Sequence, residues 1–284
     1  MRYFVVSDVH SFGQILIDTL ANGGFEKGNL EHKLIVCGDI FDRGPETVKV
    51  YEFLKSVPDE QLILIRGNHE LLYNELLTKP FPDSFDFSNG TVKTFCQIAN
   101  ADEQLLERYY VAVKLITEQA FTYQLLDKTL KKNWRTIRDA VKKSEITKFV
   151  NSDKWQWYYE TKDKVFVHSF VPFKVRPGYE FMKNDFYQPP IEFCDYNPDW
   201  REVKDDAAWQ SAAWGCPWQQ FRAGLFKEDK TLVCGHWHTS DFFYQLDDVY
   251  KKTADSPIYN NHGLIGLDAC TALSKRINLF IFDD

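Results

Sequence analysis

Short apolar runs recur along the chain, and most of them are unbroken rather than alternating with polar residues. Several are rich in β-branched residues and stop at a polar cluster. Runs of this kind are typical of strands that are buried on both faces. The pattern therefore predicts strands in seven segments, which are residues 2–8, 33–39, 62–68, 164–169, 231–236, 264–269 and 277–284.

Helical patterns lie between the early strands. Residues 45–57 begin with a proline, which suits the first position of a helix, and Val48, Tyr51 and Leu54 then recur at helical spacing. Residues 14–21 show a similar pattern. The first seventy residues thus predict a β-α-β-α-β order, which implies a parallel sheet.

The pattern changes after the third strand. A loop rich in Pro, Asp, Ser and Gly at 80–90 is followed by mainly helical sequence over 91–150, whereas 170–230 is rich in Pro and Trp and largely irregular. We predict a single domain over residues 1–284, with a mainly helical insertion at about 80–160.

Composition and charge narrow the function. The 284 residues are 44% hydrophobic and 26% charged, as in ordinary globular proteins, and the high aromatic content of 16% favours core packing. The alternative is that some of the eight Trp line a substrate cleft. The net charge of −7, without a Lys/Arg-dense stripe, argues against nucleic acid. The negative charge does not exclude a phosphate substrate, because bound cations can invert the local electrostatic field.

The six cysteines form no CxxC pair, and the N-terminus does not resemble a signal peptide. Cys37 and Cys234 lie inside apolar runs, where a thiol behaves as a small hydrophobe. No apolar run approaches the length that a membrane span needs. We therefore expect a reduced, cytoplasmic protein that does not bind a membrane.

Five of the predicted strands end on a residue that can bind metal. Ligands bind at the carboxyl ends of the strands in open α/β sheets, so these side chains are expected to meet. Five in succession is a stronger signal than any single His or Asp would be. In chain order the residues are Asp8 with His10, Asp39, Asn68, His168 and His236.

The residue types suit a two-metal centre. Asp39 can bridge two cations, Asp8 and His10 can complete one site, and the three later residues can complete the other. Such mixed Asp/His/Asn sets suit Mn, Fe or Zn better than Ca. Two cations about 3.5–4 Å apart would share a bridging hydroxide that attacks phosphorus directly, without a covalent phosphoenzyme.

Three blocks then carry a family resemblance, namely SDVHS (7–11), GDIFDRGP (38–45) and RGNHE (66–70). They closely resemble the signature blocks of the PPP-type phosphoprotein phosphatases, which belong to the calcineurin-like metallophosphoesterases. VFVHS and CGHWH resemble the two later histidine blocks. The overall resemblance is to bacterial or phage members, close also to diadenosine-polyphosphate hydrolases.

The resemblance implies an α/β fold, the four-layer α-β-β-α sandwich of two mixed sheets flanked by helices. It also implies two divalent metal ions, with Mn²⁺ preferred and Fe, Zn or Ni as alternatives. The six strand-end residues would be the metal ligands.

The resemblance further assigns roles around the metals. Arg43 would grip the substrate phosphate beside Asn68, and His69 would protonate the leaving oxygen. Asp42 would orient His69 and favour its protonated form. The alternative for Arg43 and Asp42 is a surface salt bridge. His238, the second histidine of GHWH, would be a seventh metal ligand or a surface residue.

Family members often carry a second phosphate-gripping Arg. Arg176 and Arg222 are candidates, whereas Ala213 stands where bacterial relatives often have Arg. Asp268 would support a ligand histidine from behind the site or simply end a strand.

Three functions follow as expectations. The first is a phosphomonoesterase like the serine/threonine phosphatases, acting on a phosphorylated protein or a small phosphate. The second is a dinucleoside polyphosphate hydrolase, with Trp or Tyr from 155–159 or 209–218 stacking on adenine. The third is a degenerate, non-catalytic binding module, which would be expected to have lost metal ligands.

Overall fold

The buried apolar runs form the strands of two five-stranded sheets. A computed structural model of the chain describes residues 1–119, 128–176 and 189–284. In chain order the elements are β1 (Arg2–Val6), α1 (Gly13–Asn22), β2 (His32–Cys37), α2 (Thr47–Lys55), β3 (Leu62–Ile65), α3 (Asn68–Leu76), α4 (Ser84–Asn89), α5 (Thr91–Ile98), α6 (Glu103–Gln119), α7 (Lys128–Lys143), α8 (Glu145–Val150), β4 (Trp155–Gln156), β5 (Tyr158–Glu160), β6 (Lys164–Val167), β7 (Lys174–Val175), β8 (Cys194–Asp195), α9 (Asp206–Ala213), α10 (Pro217–Arg222), β9 (Thr231–Cys234), α11 (Thr239–Asp247), β10 (Tyr259–Asn261), β11 (Leu264–Gly266), α12 (Thr271–Ser274) and β12 (Phe280–Asp283).

The first sheet has the order β12-β1-β2-β3-β4, and the second has the order β10-β11-β9-β6-β5. Strands β1 to β4 run parallel, as do β11, β9 and β6, and antiparallel strands lie at the edges. The predicted β-α-β-α-β order is confirmed, as are the two mixed sheets. Strands β7 and β8 form a small separate ribbon.

Alternating residues of the strands build a layered core. Tyr3 and Val5 of β1 pack in a cluster with Phe166 and Val233 of the second sheet, so this cluster lies between the two sheets. The intervening residues of β1 belong instead to a larger cluster with the helices on the outer face. A third cluster covers the outer face of the second sheet. The order of layers is therefore helix, sheet, sheet, helix.

The segment after α3 is helical, as predicted for 91–150, although residues 120–127 of that stretch lie outside the described residues. Helix α5 is not a detached lid. Its Val92 and Phe95 are fully buried in the helical layer, and Phe95 stacks on Trp134 of α7 with ring centroids 5.8 Å apart. This packing fixes α5 against the first sheet and its neighbouring helices.

The cysteines agree with the sequence interpretation. All six are free thiols, and Cys37 and Cys234 are fully buried among apolar side chains. In the described part of the chain, no helix combines the length and apolar character that a bilayer crossing needs.

Candidate metal centre

The first six predicted strand runs extend two or three residues beyond the strands themselves. Those extra residues are the turns that leave the sheet, and the predicted ligands lie in or just after them. Parallel strands bring these turns to one edge. Two groups of metal-binding atoms converge there, each within 4.8 Å, and Asp39 belongs to both; the groups are His10 with Asp39 and His69, and Asp39 with His168 and His236.

The second group is arranged around the His168 ring. Its Nδ1 lies 2.8 Å from the carbonyl oxygen of Cys37, to which it donates. This bond fixes the tautomer and leaves the Nε2 lone pair facing inward. Nε2 lies 3.4 Å from Asp39 Oδ1 and 3.3 Å from His236 Nδ1. Acceptor atoms thus face one another at short range, and a cation between them would satisfy all three.

The side-chain amide of Asn68 completes this group in either of two orientations. With its nitrogen inward, it donates to His168 Nε2 at 2.8 Å and to His236 Nδ1 at 3.0 Å. With its oxygen inward, it lies 2.8 Å from His168 Nε2 and adds another acceptor to the cluster. The second orientation is the one that supplies a metal ligand.

The first group has the same design. His10 donates from Nδ1 to the carbonyl oxygen of Phe41 at 3.0 Å, so Nε2 faces the cluster. That nitrogen lies 3.9 Å from Asp39 Oδ2 and 4.0 Å from Asp8 Oδ1. The other oxygen of Asp8 accepts from the backbone N–H of His236 at 3.0 Å, and Ser7 Oγ lies 2.5 Å from it. Asp8 therefore ties the two sheets together with one oxygen and faces His10 with the other.

The donor set fits divalent cations. Burial lowers the pKa of His10 and His236 well below the usual histidine range, and neighbouring positive charge adds to this effect. Burial raises the pKa of Asp39, with the carboxylates of Asp8 and Glu70 adding to the rise. Neutral imidazoles with inward lone pairs lie beside the Asp39 carboxylate, which has no Lys or Arg partner among the described residues. Such a site would be stabilised by added positive charge.

His69 of the first group also contacts two residues outside the groups, Asp42 and Arg43. Its Nδ1 lies 2.7 Å from Asp42 Oδ2, and its Nε2 lies 3.3 Å from Arg43 Nη2. Burial lowers the pKa of His69 and raises that of Asp42 to about 7. These directions run against the expectation that Asp42 favours the protonated form of His69, because burial of the ring has the larger effect. Within the described ranges no carboxylate lies in ion-pairing distance of Arg43, so the salt bridge considered for it is absent there.

Several residues that the sequence interpretation missed hold these side chains in place. Thr91 and Thr94 of α5 both donate to the carboxylate of Asp42 at 2.7 Å. Glu70 accepts backbone N–H bonds from Gly67 at 2.8 Å and from Asp39 at 3.0 Å. One signal was available, because Glu at the third position of a helix is the pattern of a capping box.

Gly67 lies so close to Asp39 that no side chain would fit at this position. A Cβ at this position would collide with Oδ1 and the backbone nitrogen of Asp39. The turn before α3 can therefore approach the shared carboxylate only without a side chain.

The backbone itself is unusual where the ligands lie. Non-glycine residues rarely adopt positive φ, and such residues often cluster at functional sites. Here φ lies between 49° and 74° at seven positions of the centre. They are Asp8, His10, Ser11, Asp39, Asp42, Arg43 and His236.

His238 lies at the rim. Its side chain is 37% exposed, and its Nε2 lies 3.9 Å from Asp268 Oδ2, outside the two converging groups. Asp268 is buried and accepts the backbone N–H of Cys270 at 2.6 Å. The role of His238 as a seventh ligand stays a prediction.

Neither candidate for a second phosphate-gripping Arg contacts the metal-binding groups. Arg176 makes a bidentate ion pair with Asp195, 2.9 Å at both contacts, on the small β7–β8 ribbon. Arg222 lies over the ring of Trp218, which packs edge-on against Trp237. The guanidinium of Arg222 also lies 3.4 Å from the carbonyl oxygen of Gln245, so a second phosphate-gripping Arg stays a prediction.

The tryptophans divide between core and site. Trp134, Trp155, Trp200 and Trp209 are buried, as core packing predicts. Trp214 is half-buried and meets the ring of His236 edge-on, with centroids 6.1 Å apart. Core packing is therefore confirmed for these four tryptophans, whereas the alternative that some Trp line a substrate cleft stays a prediction.

Comparison with solved structures gives low sequence identity. A candidate diadenosine tetraphosphatase matches with 14% identity and a TM-score of 0.45, over 99% of this chain and 89% of that one. A cold-active protein-tyrosine phosphatase of a psychrophilic Shewanella species gives 14% and 0.46, over 100% and 75%. A protein serine/threonine phosphatase from Saccharomyces cerevisiae gives 12% and 0.38, over 94% and 66%.

A comparison with curated proteins gives no match. The profile of the calcineurin-like phosphoesterases, by contrast, matches residues 1–240, which include every predicted metal ligand. That match extends over well more than half of the sequence, from β1 to the start of α11. The chain therefore belongs to the calcineurin-like phosphoesterase family.

Proposed function

We propose that this protein is a metal-dependent hydrolase of phosphomonoesters, like the serine/threonine phosphatases in reaction type. The observation that carries the proposal is the convergence of acceptor atoms on Asp39, next to the paired side chains of Arg43 and His69. A cation site beside a guanidinium and an imidazole provides the groups that phosphoryl transfer to water requires.

Two divalent cations would be held by the strand-end side chains. Asp8, His10 and Asp39 would hold one, and Asp39 would share the other with the later ligands. When bound, such cations activate water as a nucleophile and neutralise phosphate charge. Manganese is the ion that we propose, with Fe, Zn and Ni as alternatives. The later ligands are Asn68, His168 and His236.

The remaining residues act on the substrate. Arg43 lies 3.3 Å from His69 Nε2 and has a planar fork that suits two phosphate oxygens. Once Arg43 turns to the phosphate, His69 Nε2 is free to face the leaving oxygen. Nε2, which accepts from Arg43 in this structure, takes up a proton from solvent once the negatively charged phosphate is bound. It gives that proton to the leaving oxygen as the bond from this oxygen to phosphorus breaks, while a water oxygen forms the new bond to phosphorus and loses its own proton to solvent. Asp42 holds Nδ1 throughout at 2.7 Å.

The products are an alcohol and inorganic phosphate. The test is hydrolysis of p-nitrophenyl phosphate by the purified protein, supplied in turn with Mn²⁺, Fe²⁺, Zn²⁺ and Ni²⁺. We expect turnover with at least Mn²⁺, and its loss in Asp39→Asn. His262→Ala is the matched control, since His262 is an exposed histidine paired with Asp247 at 2.9 Å, away from the centre.

Absence of turnover with all four metals would refute the proposal. Absence of bound metal as well, after incubation with each ion, would favour the non-catalytic binding module instead.

A further inference from the structure

Helix α5 packs against the turn formed by residues 42–44, a few residues after β2. The backbone N–H of Asp42 donates to Thr94 Oγ1 of this helix at 3.0 Å. The carbonyl oxygen of Gly44 accepts from Gln97 Nε2 of the same helix at 2.9 Å. Both ends of the turn are therefore bonded to side chains of α5.

The middle residue of the turn, Arg43, is bonded to Lys93 of the same helix. Lys93 Nζ donates to the carbonyl oxygen of Arg43 at 3.0 Å. The backbone of α5 also lies against Arg43, because a Cβ at Gly90 would collide with the backbone nitrogen of Arg43. Arg43 is thus held by a hydrogen bond on its carbonyl side and by close packing on its amide side.

The backbone conformation of Arg43 requires such support. Its φ is 60°, in the left-handed region that a residue with a Cβ adopts only at a cost in free energy. Hydrogen bonds from a charged donor are stronger than those between neutral groups. The bond from the Lys93 ammonium therefore favours the backbone conformation in which Arg43 Nη2 lies 3.3 Å from His69 Nε2.

The charge of Lys93 is not neutralised within the described part of the fold. The side chain is partly buried, and no carboxylate of residues 1–119, 128–176 and 189–284 lies in ion-pairing distance of it. Other partly buried lysines do have such a partner, as Lys79 has in Glu75 at 2.9 Å. Two cations without a counter-ion, Lys93 and Arg43, therefore lie side by side and make an added anion favourable here.

We infer that Lys93 is a positioning residue for the substrate phosphate, because it holds the backbone of Arg43 and thereby the guanidinium that binds the phosphate. The inference rests on the proposed function and adds to it a residue of the helical insertion. In the proposed reaction the Arg43 side chain turns from His69 to the phosphate. A fixed main chain limits that motion to the side chain, so less conformational freedom is lost on binding.

The kinetic test uses Lys93→Met, which keeps an unbranched apolar side chain and removes the ammonium. We expect KM for p-nitrophenyl phosphate to rise by about tenfold with kcat little changed, since Arg43 would bind the phosphate in the ground state and the transition state alike. Lys142→Met is the matched control, because Lys142 is exposed on α7, and it should change neither constant. An unchanged KM in Lys93→Met would overturn the inference.

A double-mutant cycle separates positioning from a general effect on the fold. In an Arg43→Ala background, Lys93→Met should have little further effect on KM, because the group that Lys93 holds is gone. A further tenfold rise in that background would overturn the inference, since Lys93 would then act without Arg43.

Phosphate binding distinguishes failure of this inference from failure of the proposed function. Inorganic phosphate should raise the Tm of the protein in the presence of Mn²⁺, and Lys93→Met should need about tenfold more phosphate for the same rise. That result in a protein without turnover would support the role of Lys93 and refute the hydrolase. Turnover of p-nitrophenyl phosphate, with the same phosphate dependence of Tm in both proteins, would refute the role of Lys93 alone.

Discussion

Thr94 donates its hydroxyl to the carboxylate of Asp42 at 2.7 Å and accepts the backbone N–H of the same residue at 3.0 Å. The two residues come from different parts of the fold, since Thr94 belongs to α5 and Asp42 follows β2. The helical segment therefore contributes to the centre directly, through the residue that holds His69.

Replacing Thr94 with valine should weaken both stability and turnover. The change leaves two buried polar groups of Asp42 without this partner, which costs about 1–3 kcal/mol for each group left unsatisfied. We expect the free energy of unfolding to fall by that order and kcat to fall by about tenfold or more, because a displaced catalytic group is costly. Urea denaturation and steady-state kinetics measure the two effects.

Thr136→Val is the matched control for this experiment, because Thr136 is exposed on α7. It should change neither quantity. A Thr94→Val protein with full kcat would show that α5 supports the fold and not the chemistry.

His69→Asn and Asp39→Asn should separate catalysis from metal binding. His69 is proposed as the proton donor, so its loss should lower kcat by about 10²–10⁴-fold while metal content is kept. Asp39 is shared by both groups, so its loss should reduce the bound metal. Metal analysis alongside kinetics distinguishes the two. If His69→Asn lost metal and Asp39→Asn kept it, His69 would be the ligand, a role that its 3.8 Å distance from Asp39 Oδ2 makes worth testing.

Divalent metal should raise the melting temperature. A ligand that binds only the folded state stabilises it by about 2.7 kcal/mol when present at about 100 times its Kd. We expect Mn²⁺ to raise Tm, a chelator to reverse the rise, and His236→Ala to reduce it strongly. His262→Ala should retain the full shift. An equal rise in the His236→Ala protein would place the bound metal elsewhere.

Acid stability should depend on Glu228. This carboxylate accepts from Arg201 and from the indole of Trp200 at 3.0 Å each, and the Arg201 bond lowers its pKa from 4.5 to about 2. A carboxylate whose pKa is lower in the folded than in the unfolded state stabilises the fold fully at pH values above the unfolded-state pKa. This stabilisation is lost as the pH falls towards the folded-state pKa. The free energy of unfolding of the native protein should therefore exceed that of Glu228→Gln by its full amount above about pH 4.5, and the difference should vanish towards pH 2.

Unfolding free energies at several pH values measure this difference. Glu202→Gln, an exposed glutamate in the same region, should show no such trend. A Glu228→Gln penalty that stayed constant from neutral to acidic pH would mean that packing, and not charge, stabilises this contact.

The features best predicted from the sequence were the residues that directly follow the strands. Asp39 and Asn68 could be placed at one edge because each follows a buried parallel strand, and the structure brings them to the same cluster. Periodicity along single strands could not show that β6 and β9 belong to a second sheet, because pairing is a property of two segments far apart. That conclusion depended on the family resemblance.

The supporting contacts could not be predicted in the same way. Thr94 lies 52 positions from Asp42, and nothing in the residues around it indicates that its hydroxyl faces a carboxylate. Trp214 likewise comes from the Trp-rich stretch that the sequence predicted to be largely irregular, whereas it ends helix α9 in the structure, and its contact with His236 depends on how α9 packs. Glu70 was recognisable as part of a motif, but its bond to Asp39 required the fold.

The left-handed backbone at the centre limits which replacements can be interpreted. At Asp39 or His236, valine or isoleucine would conflict with the main chain before any question of metal binding arose. Asparagine tolerates that conformation, so it changes the chemistry and spares the turn. The same restriction acts on natural variation, and it narrows the substitutions open to these seven positions to those that the backbone, as well as the reaction, accepts.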